Sequence, residues 1–362
     1  MPSAVTGPQT SGVAQPQGQG ADVFPTMTVI DGKCFLREGA GYVGPEVPVS
    51  ESFAAAVKAS GLTTICTTVG GSRAFAETAI FIEKTDGAIG SRPDLLLKVQ
   101  AADDLEEAKR SGRLGVIYDV QGTSELGGDS ERVPALAKLG VRVFQMTYNK
   151  AALVGDGCLE SRNAGLSEFG RNVISLIEAE KCLLDLSHAG KRTTAEAIAA
   201  ATRPCAITHA GCNSINQHPR NVDDSEIRAV AEKGGVFGIY FMSYLRREGQ
   251  CHREDVIAHV EHAIDIAGED HVSIGTDGDV GALILDETYR EHWRTKVVEP
   301  RVRAGIAAPN EGADIFNYVP EYNVPNRLQL LGKDLVSRGH KLSRVEKIIG
   351  GNLLRVLKEV FV

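Results

Sequence analysis

Lys181-Cys-Leu-Leu-Asp185-Leu-Ser187-His188 is followed, across an Ala-rich segment at residues 193–202, by Pro204-Cys-Ala-Ile-Thr208-His209. Each is a short apolar run that closes on a hydroxyl residue and a histidine. A run of this length bounded by polar residues reads as a buried strand, and the Ala-rich segment between them reads as a helix. Parallel neighbours need a crossover connection, so two such strands separated by a helix predict a parallel sheet. Ionisable residues at the C-terminal ends of buried parallel strands are where an α/β fold gathers its chemistry, which makes His188 and His209 the first candidates.

The same alternation extends in both directions. Strands are predicted at residues 26–30, 63–69, 114–120, 141–147, 235–241 and 271–277, with helices at 51–60, 101–111, 131–139, 167–180, 224–233 and 254–267. Eight strands with helices between them predict a (β/α)8 barrel of the TIM type, an open doubly wound sheet being the alternative. One barrel domain is expected over residues 22–362. Residues 1–21, rich in Gly, Gln, Pro and Ser, are expected to be a disordered tail and lack the basic and apolar regions of a secretory signal. Residues 278–326 carry Trp293, Pro300, Pro309, Pro320 and Pro325 and read as a long irregular loop covering the barrel mouth. Residues 342–361 return to helix, with a break expected at Gly350-Gly351-Asn352.

A length of 362 residues suits a large barrel, and 43% hydrophobic with 24% charged residues is an ordinary globular composition. The net charge of -8 argues against a nucleic-acid partner, since phosphate backbones attract clustered Lys and Arg. No stretch supplies the ~18 uninterrupted apolar residues of a membrane span. The seven cysteines are odd in number and scattered, several within apolar runs, which fits reduced thiols and a cytoplasmic location.

On a barrel, the strand ends bring Lys33, Gln121, Tyr148, His188, His209 and Asp277 to one face. Asp277, in Gly275-Thr-Asp277-Gly-Asp279, equally fits a turn cap. The Gly-rich Thr68-Val-Gly-Gly-Ser72 lacks the Gly-Lys-Ser/Thr of a phosphate loop and reads as a βα turn. Arg246-Arg247-Glu248 and Arg301-Val-Arg303 read as solvated charge, and His252, His259 and His262 as residues of a polar surface helix.

These segments together resemble the renal (membrane) dipeptidase family, the M19 metallopeptidases among the amidohydrolase-like barrels. The resemblance runs through Asp31-Gly32, Leu139-Gly-Val-Arg142, Gly165-Leu-Ser-Glu-Phe-Gly170, Asp185-Leu-Ser-His188, Thr208-His209, His218-Pro-Arg-Asn221, His271-Val-Ser-Ile-Gly-Thr-Asp277 and Gly350-Gly-Asn-Leu-Leu-Arg355. It implies hydrolysis of dipeptides, often with a D-residue on the C-terminal side, by a pair of zinc ions. It further implies that His188 and His209 match the second-zinc ligands, that Arg220 grips the substrate carboxylate and that Asp277 handles the protons of the attacking water. A homodimer is also implied.

The departures shape the expectation. Where the family has Asp-Gly-His-x-Asp, this chain has Asp31-Gly32-Lys33-Cys34-Phe35, and Gln121 stands in place of the bridging Glu. Tyr148, before Asn149, matches a histidine that polarises the substrate carbonyl. An ammonium has only donors and repels a dication, so Lys33 is incompatible with a metal beside it unless deprotonated or carbamylated, and Gln121 removes a ligand charge. The expected cofactor is none or one zinc ion on His188 and His209, short of the three protein ligands usual in catalysis.

The expected catalytic set is Asp277 as base, Lys33 as electrophile or Schiff-base lysine, His188 and His209 as proton carriers, and Tyr148; Arg220, Gln121 and Asn149 are expected to bind substrate. The sequence therefore predicts a dipeptidase-family barrel acting on a small amino-acid or dipeptide-like metabolite with the zinc pair lost or reduced to one. Conventional zinc-dependent dipeptide hydrolysis and a non-catalytic ligand- or partner-binding barrel are the alternatives.

Overall fold

The structure, a computed structural model, describes residues 24–38, 41–42 and 49–362; the tail expected at residues 1–21 lies outside them. Eight parallel strands follow one another around the sheet: β1 (Ile30–Asp31), β2 (Thr64–Gly70), β3 (Leu114–Gln121), β4 (Val141–Gln145), β5 (Leu183–Asp185), β6 (Ala206–Ala210), β7 (Val236–Ile239) and β8 (Val272–Ile274). Every residue of β2 is buried, as expected of a strand covered on both faces. The seam between β8 and β1 is bridged by Gly32 N–H donating to the Ile274 carbonyl at 2.8 Å. The Asp31 carboxylate reinforces it by accepting from Thr276 N at 2.8 Å and Thr276 Oγ1 at 2.6 Å.

Helices cover the outside: α1 (Glu51–Ser60), α2 (Phe75–Ser91), α3 (Ala102–Ser111), α4 (Arg132–Lys138), α5 (Glu168–Ala179), α6 (Lys191–Ala200), α7 (Asp224–Glu232) and α8 (Arg253–Ala267), all but α2 expected. Their ends carry legible caps. Ser50 Oγ accepts from Phe53 N and Ser167 Oγ from Gly170 N, and Gly61, at φ +65°, ends α1 in the left-handed conformation that side chains disfavour.

Three expectations need correction. Helix α2 and the strand Leu96–Lys98, which pairs beside β3, stand in a stretch to which the sequence assigned no helix or strand. The two glycines and two threonines in α2 weaken its helical signal, which packing overrides. The loop at 278–326 holds three consecutive helical segments, Glu287–His292, Trp293–Val298 and Glu299–Arg303. The C-terminal helix does not break at Gly350: Leu342–Glu346 runs through a π-turn, Lys347–Gly351, into Asn352–Val360. Gly350 is required there because a Cβ would lie 2.2 Å from the Thr28 carbonyl oxygen.

The barrel interior is layered. Ile30, Cys66, Ile117, Val143, Leu183, Ala206 and Val236 form an apolar floor closed by Leu353, Val356, Leu357 and Val360 of the C-terminal helix. Strand alternation then sets the next layers, since inward side chains recur every second residue, ~6.6 Å further along. On β3 this places Ile117 in the floor, Asp119 above it and Gln121 at the mouth.

Candidate functional site

Lys33 follows β1 and projects into the layer above the apolar floor, 2% exposed. Its ammonium donates to Asp119 Oδ1 at 2.7 Å and to Thr68 Oγ1 at 2.5 Å. Thr68 and Asp119 face each other in the β2–β3 register, and the Thr68 hydroxyl also donates to Asp119 at 3.1 Å. Burial alone would push the lysine pKa down, but the Asp119 charge and hydrogen bond, together with the charges of Asp277 and Asp185, outweigh it and hold the ammonium above its ordinary value. A Schiff-base lysine needs the neutral amine, so this pairing opposes that expected role. Lys33 sits beneath the cavity rather than on its wall.

One layer higher, His188 and His209 converge. Pairing along β6 and β7 slips between Ile207 and Ala210, and Thr208 and His209 sit at that irregularity; such slips re-aim side chains. Asn149 Nδ2 donates to the Ile306 carbonyl at 2.9 Å, which leaves its Oδ1 to accept from His188 Nδ1 at 2.7 Å. Thr208 Oγ1 gives its proton to Asp185 at 2.7 Å and so accepts from His209 Nδ1 at 2.8 Å. Both rings therefore carry their proton on Nδ1, and their Nε2 lone pairs point at each other 3.1 Å apart.

Gln121 resolves the clash of lone pairs. Its Nε2 lies 3.2 Å from His188 Nε2 and 3.4 Å from His209 Nε2, and a carboxamide nitrogen has two protons to donate. Burial, with Arg220 nearby, keeps both imidazoles far below their ordinary pKa and neutral. Among the described residues, no group of three or more His, Cys, Asp or Glu is arranged to hold a metal ion.

Above this trio a cavity of about 160 Å³ is lined by Arg37, Gln121, Tyr148, His188, Arg220 and Asp277 among others. Arg220 is 3% exposed; its guanidinium donates to the backbone carbonyls of Ser187 and His209, and no described carboxylate pairs with it. Asp277 adopts φ +58°, a conformation rare for residues other than glycine, and its buried Oδ1 has no hydrogen-bond partner among the described residues. Burial raises the Asp277 pKa, partly offset by Lys33 and Arg220. Orphaned polar atoms and left-handed backbone at one residue mark a site built for something other than stability.

Tyr148 stacks on His188 with ring centroids 4.4 Å apart, and its hydroxyl oxygen accepts from Arg301 at 2.7 Å. That leaves the Tyr148 proton free to be donated into the cavity. Asn149 borders the cavity too, but both ends of its amide are committed to Ile306 and His188, so it positions the ring.

Two readings of charge were misplaced. Arg301, expected on a solvated face, is held by a two-point contact with Glu311, at 2.8 Å on each oxygen, and forms a cavity wall. No local signal in a loop of mixed charge marks it. His259, expected on a surface helix, is fully buried, accepting from Cys212 N at 2.8 Å and donating to the Leu245 carbonyl at 2.9 Å. The spacing of Val256, His259, Val260 and Ala263 on the buried face of α8 carries that information.

The family model described as "Membrane dipeptidase (Peptidase family M19)" matches residues 51–289. An uncharacterized protein in the pqqA 5' region of Klebsiella pneumoniae is 26% identical over 272 residues, 72% of this chain and 88% of that protein. Dipeptidase verJ of Clonostachys rogersoniana is 27% identical over 74% of this chain, which spans only 61% of verJ. Among solved structures, an amidohydrolase from Pseudomonas aeruginosa superposes with a TM-score of 0.80 at 27% identity, covering 94% of this chain and 98% of that one.

Proposed function

Because this chain belongs to the membrane dipeptidase family, peptidase family M19, we propose that it is a barrel enzyme acting on a small amino-acid or dipeptide-like metabolite without the family's two-zinc centre. One observation carries the reading: among the described residues, a single cavity is flanked by the buried Arg220 guanidinium, which lacks a carboxylate, and by the buried Asp277 carboxyl, whose Oδ1 lacks a donor. A ligand with a carboxylate at one end and a proton to give at the other satisfies both.

The side chains do not suit two zinc ions. Lys33 and Phe35 offer no lone pair at the positions of the first-zinc ligands, and the ammonium is already neutralised by Asp119. Gln121 turns donors, not a carboxylate, toward the imidazoles. Hydrolysis is therefore assigned to organic groups. Arg220 holds the ligand carboxylate, and the Tyr148 hydroxyl, polarised by Arg301, donates to the amide carbonyl as charge develops on its oxygen. Asp277 takes a proton from water as its oxygen bonds to the carbonyl carbon, then returns it to the amine as the C–N bond breaks. Lys33 acts from below, its charge favouring the ionised form of Asp277.

A second reading has one specific observation behind it. The 3.1 Å between His188 Nε2 and His209 Nε2 is near the ~3.3 Å that separates two nitrogens on a tetrahedral zinc at ~2.0–2.1 Å. A single ion displacing the Gln121 amide is thus the competing arrangement.

Elemental analysis, joined to calorimetric titration and turnover of Ala-D-Ala with and without a chelator, separates these. The proposal expects far less than two zincs per chain and binding that survives the chelator. It expects the Arg220→Ala variant to bind ~10–100-fold more weakly, as for a lost charge-assisted bond. One zinc with chelator-sensitive cleavage supports the second reading, and two zincs per chain overturn both.

A further inference from the structure

Behind the wall made by Gln121, Tyr148 and Arg301 lies a second cavity, of about 420 Å³. That volume is in the range that holds small organic ligands. The two cavities share those three residues, whereas Arg220 lines the first cavity and not the second. Across the barrel mouth the order is therefore Arg220, the site cavity, the Gln121 and Tyr148 wall, and the second chamber. A ligand anchored by its carboxylate on Arg220 has that chamber on the far side of the Gln121 and Tyr148 wall.

The chamber is built from two turns packed backbone to backbone. Gly71 has φ +125°, and a Cβ on it would lie 2.5 Å from the Gln121 carbonyl carbon. Gly122 has φ +136°, and its Cβ would lie 2.9 Å from the Gly71 oxygen. Glycine is required at both, which keeps the turns close and leaves the space between their rims open. The Gly-rich turn at residues 70–73 thus forms a wall of this chamber, with Gly122, Thr123 and Ser124 opposite.

The charge on those rims is positive. The Arg73 guanidinium stacks over the Phe81 ring at 4.5 Å, and Lys150 is exposed; neither has an ion-pair partner among the described residues. Arg301 contributes little net charge because Glu311 is bound to it. Glu125 lies behind the Gly70–Gly71 turn, where it accepts from Gly71 N and Thr78 Oγ1, and burial raises its pKa. The hydroxyls of Ser72 and Ser124 border the same space.

We propose that this chamber is a subsite for an anionic side chain on the residue at the amino side of the scissile amide, held by Arg73 and Lys150. Resting on the dipeptide reading above, it narrows the ligand class to dipeptides whose first residue is acidic. The chamber's volume accommodates a glutamyl side chain, and the two cations stand on separate turns of its lining.

Calorimetric titration of the full chain with Glu-D-Ala and Gln-D-Ala, which differ in charge at almost constant shape, tests the subsite. Glu-D-Ala is expected to bind ~10-fold tighter, a preference that fades at high salt and falls to ~2-fold or less in Arg73→Ala/Lys150→Ala. Gln-D-Ala affinity is expected to be the same in both proteins. Free glutarate supplies an arm independent of the dipeptide reading: its binding should weaken ~10-fold in the double variant and persist in Arg220→Lys. Equal affinity for the two dipeptides, or glutarate binding indifferent to Arg73 and Lys150, overturns the subsite while leaving the dipeptide reading intact. Glutarate held by Arg73 and Lys150 with no dipeptide bound at all overturns the dipeptide reading and leaves the anionic chamber standing.

Discussion

Lys33 shows how one residue can close a site electrostatically. Its ammonium and the Asp119 carboxylate are almost wholly out of water, and Asp119 Oδ2 has no partner of its own among the described residues, so the lysine is the main compensation for that charge. Removing one member of a buried pair strands the other, at a cost of about 3–5 kcal/mol, whereas replacing both with apolar groups is often neutral. Lys33→Ala is therefore expected to lower unfolding stability by that amount in urea titrations, and Lys33→Met/Asp119→Leu to recover most of it. A Lys33→Ala protein as stable as the parent would mean that the buried pair contributes no net stability. The sequence revealed Lys33 as a departure, but not its partner: Asp119 is recognisable only when the period-two alternation from Gln121 is followed downward into the barrel. Arg301 was illegible for a different reason, because its role depends on Tyr148 and Glu311, which only the folded loop brings to it.

At the scale of elements, the strand and helix alternation was readable because each buried strand is a short apolar run and most helices keep a capping residue. Helix α7 illustrates how capping and burial compete. Asp223 and Glu226 form a reciprocal cap, Asp223 N donating to Glu226 Oε2 at 3.0 Å and Glu226 N to the Asp223 carbonyl at 3.0 Å. Glu226 is only 8% exposed, and burial raises its pKa to about 7, the cap hydrogen bond offsetting only part of that. The folded chain then holds this proton more tightly than the unfolded chain does. Its contribution to stability is complete below about pH 4.5 and is lost as pH rises through about 7, at most ~3 kcal/mol. Glu226→Gln keeps an acceptor for Asp223 N and removes the charge. Its urea midpoint is expected to exceed the parent's at pH 8 and to coincide with it near pH 4.5; a variant weaker than the parent at pH 8 would show that the ionised cap stabilises the helix. Helix α2 escaped the same sequence logic, since its N-cap is Ala74 and its interior contains Gly87 and Gly90.

For the whole molecule, the barrel separates stability from chemistry by height. Its apolar floor takes one side chain from each of β1 to β7 and is sealed by the C-terminal helix, while the polar layers and cavities lie toward the opposite end. The sequence indicated that a helix closes the chain, but not that it plugs the barrel, because an amphipathic stripe says which face is buried and not against what. Leu357 is fully buried in that plug, and Leu→Ala changes in well-packed cores cost about 2–5 kcal/mol. Leu357→Ala is expected to lower the unfolding free energy, read from urea titrations, by an amount in that range. Dipeptide and glutarate affinities, measured where the variant remains folded, should match the parent, since the layer of Lys33, Thr68 and Asp119 stands between the floor and the cavity. Affinity that falls together with stability would mean that the plug sets the height of the polar layers, so that the C-terminal helix belongs to the functional architecture as well as to the core.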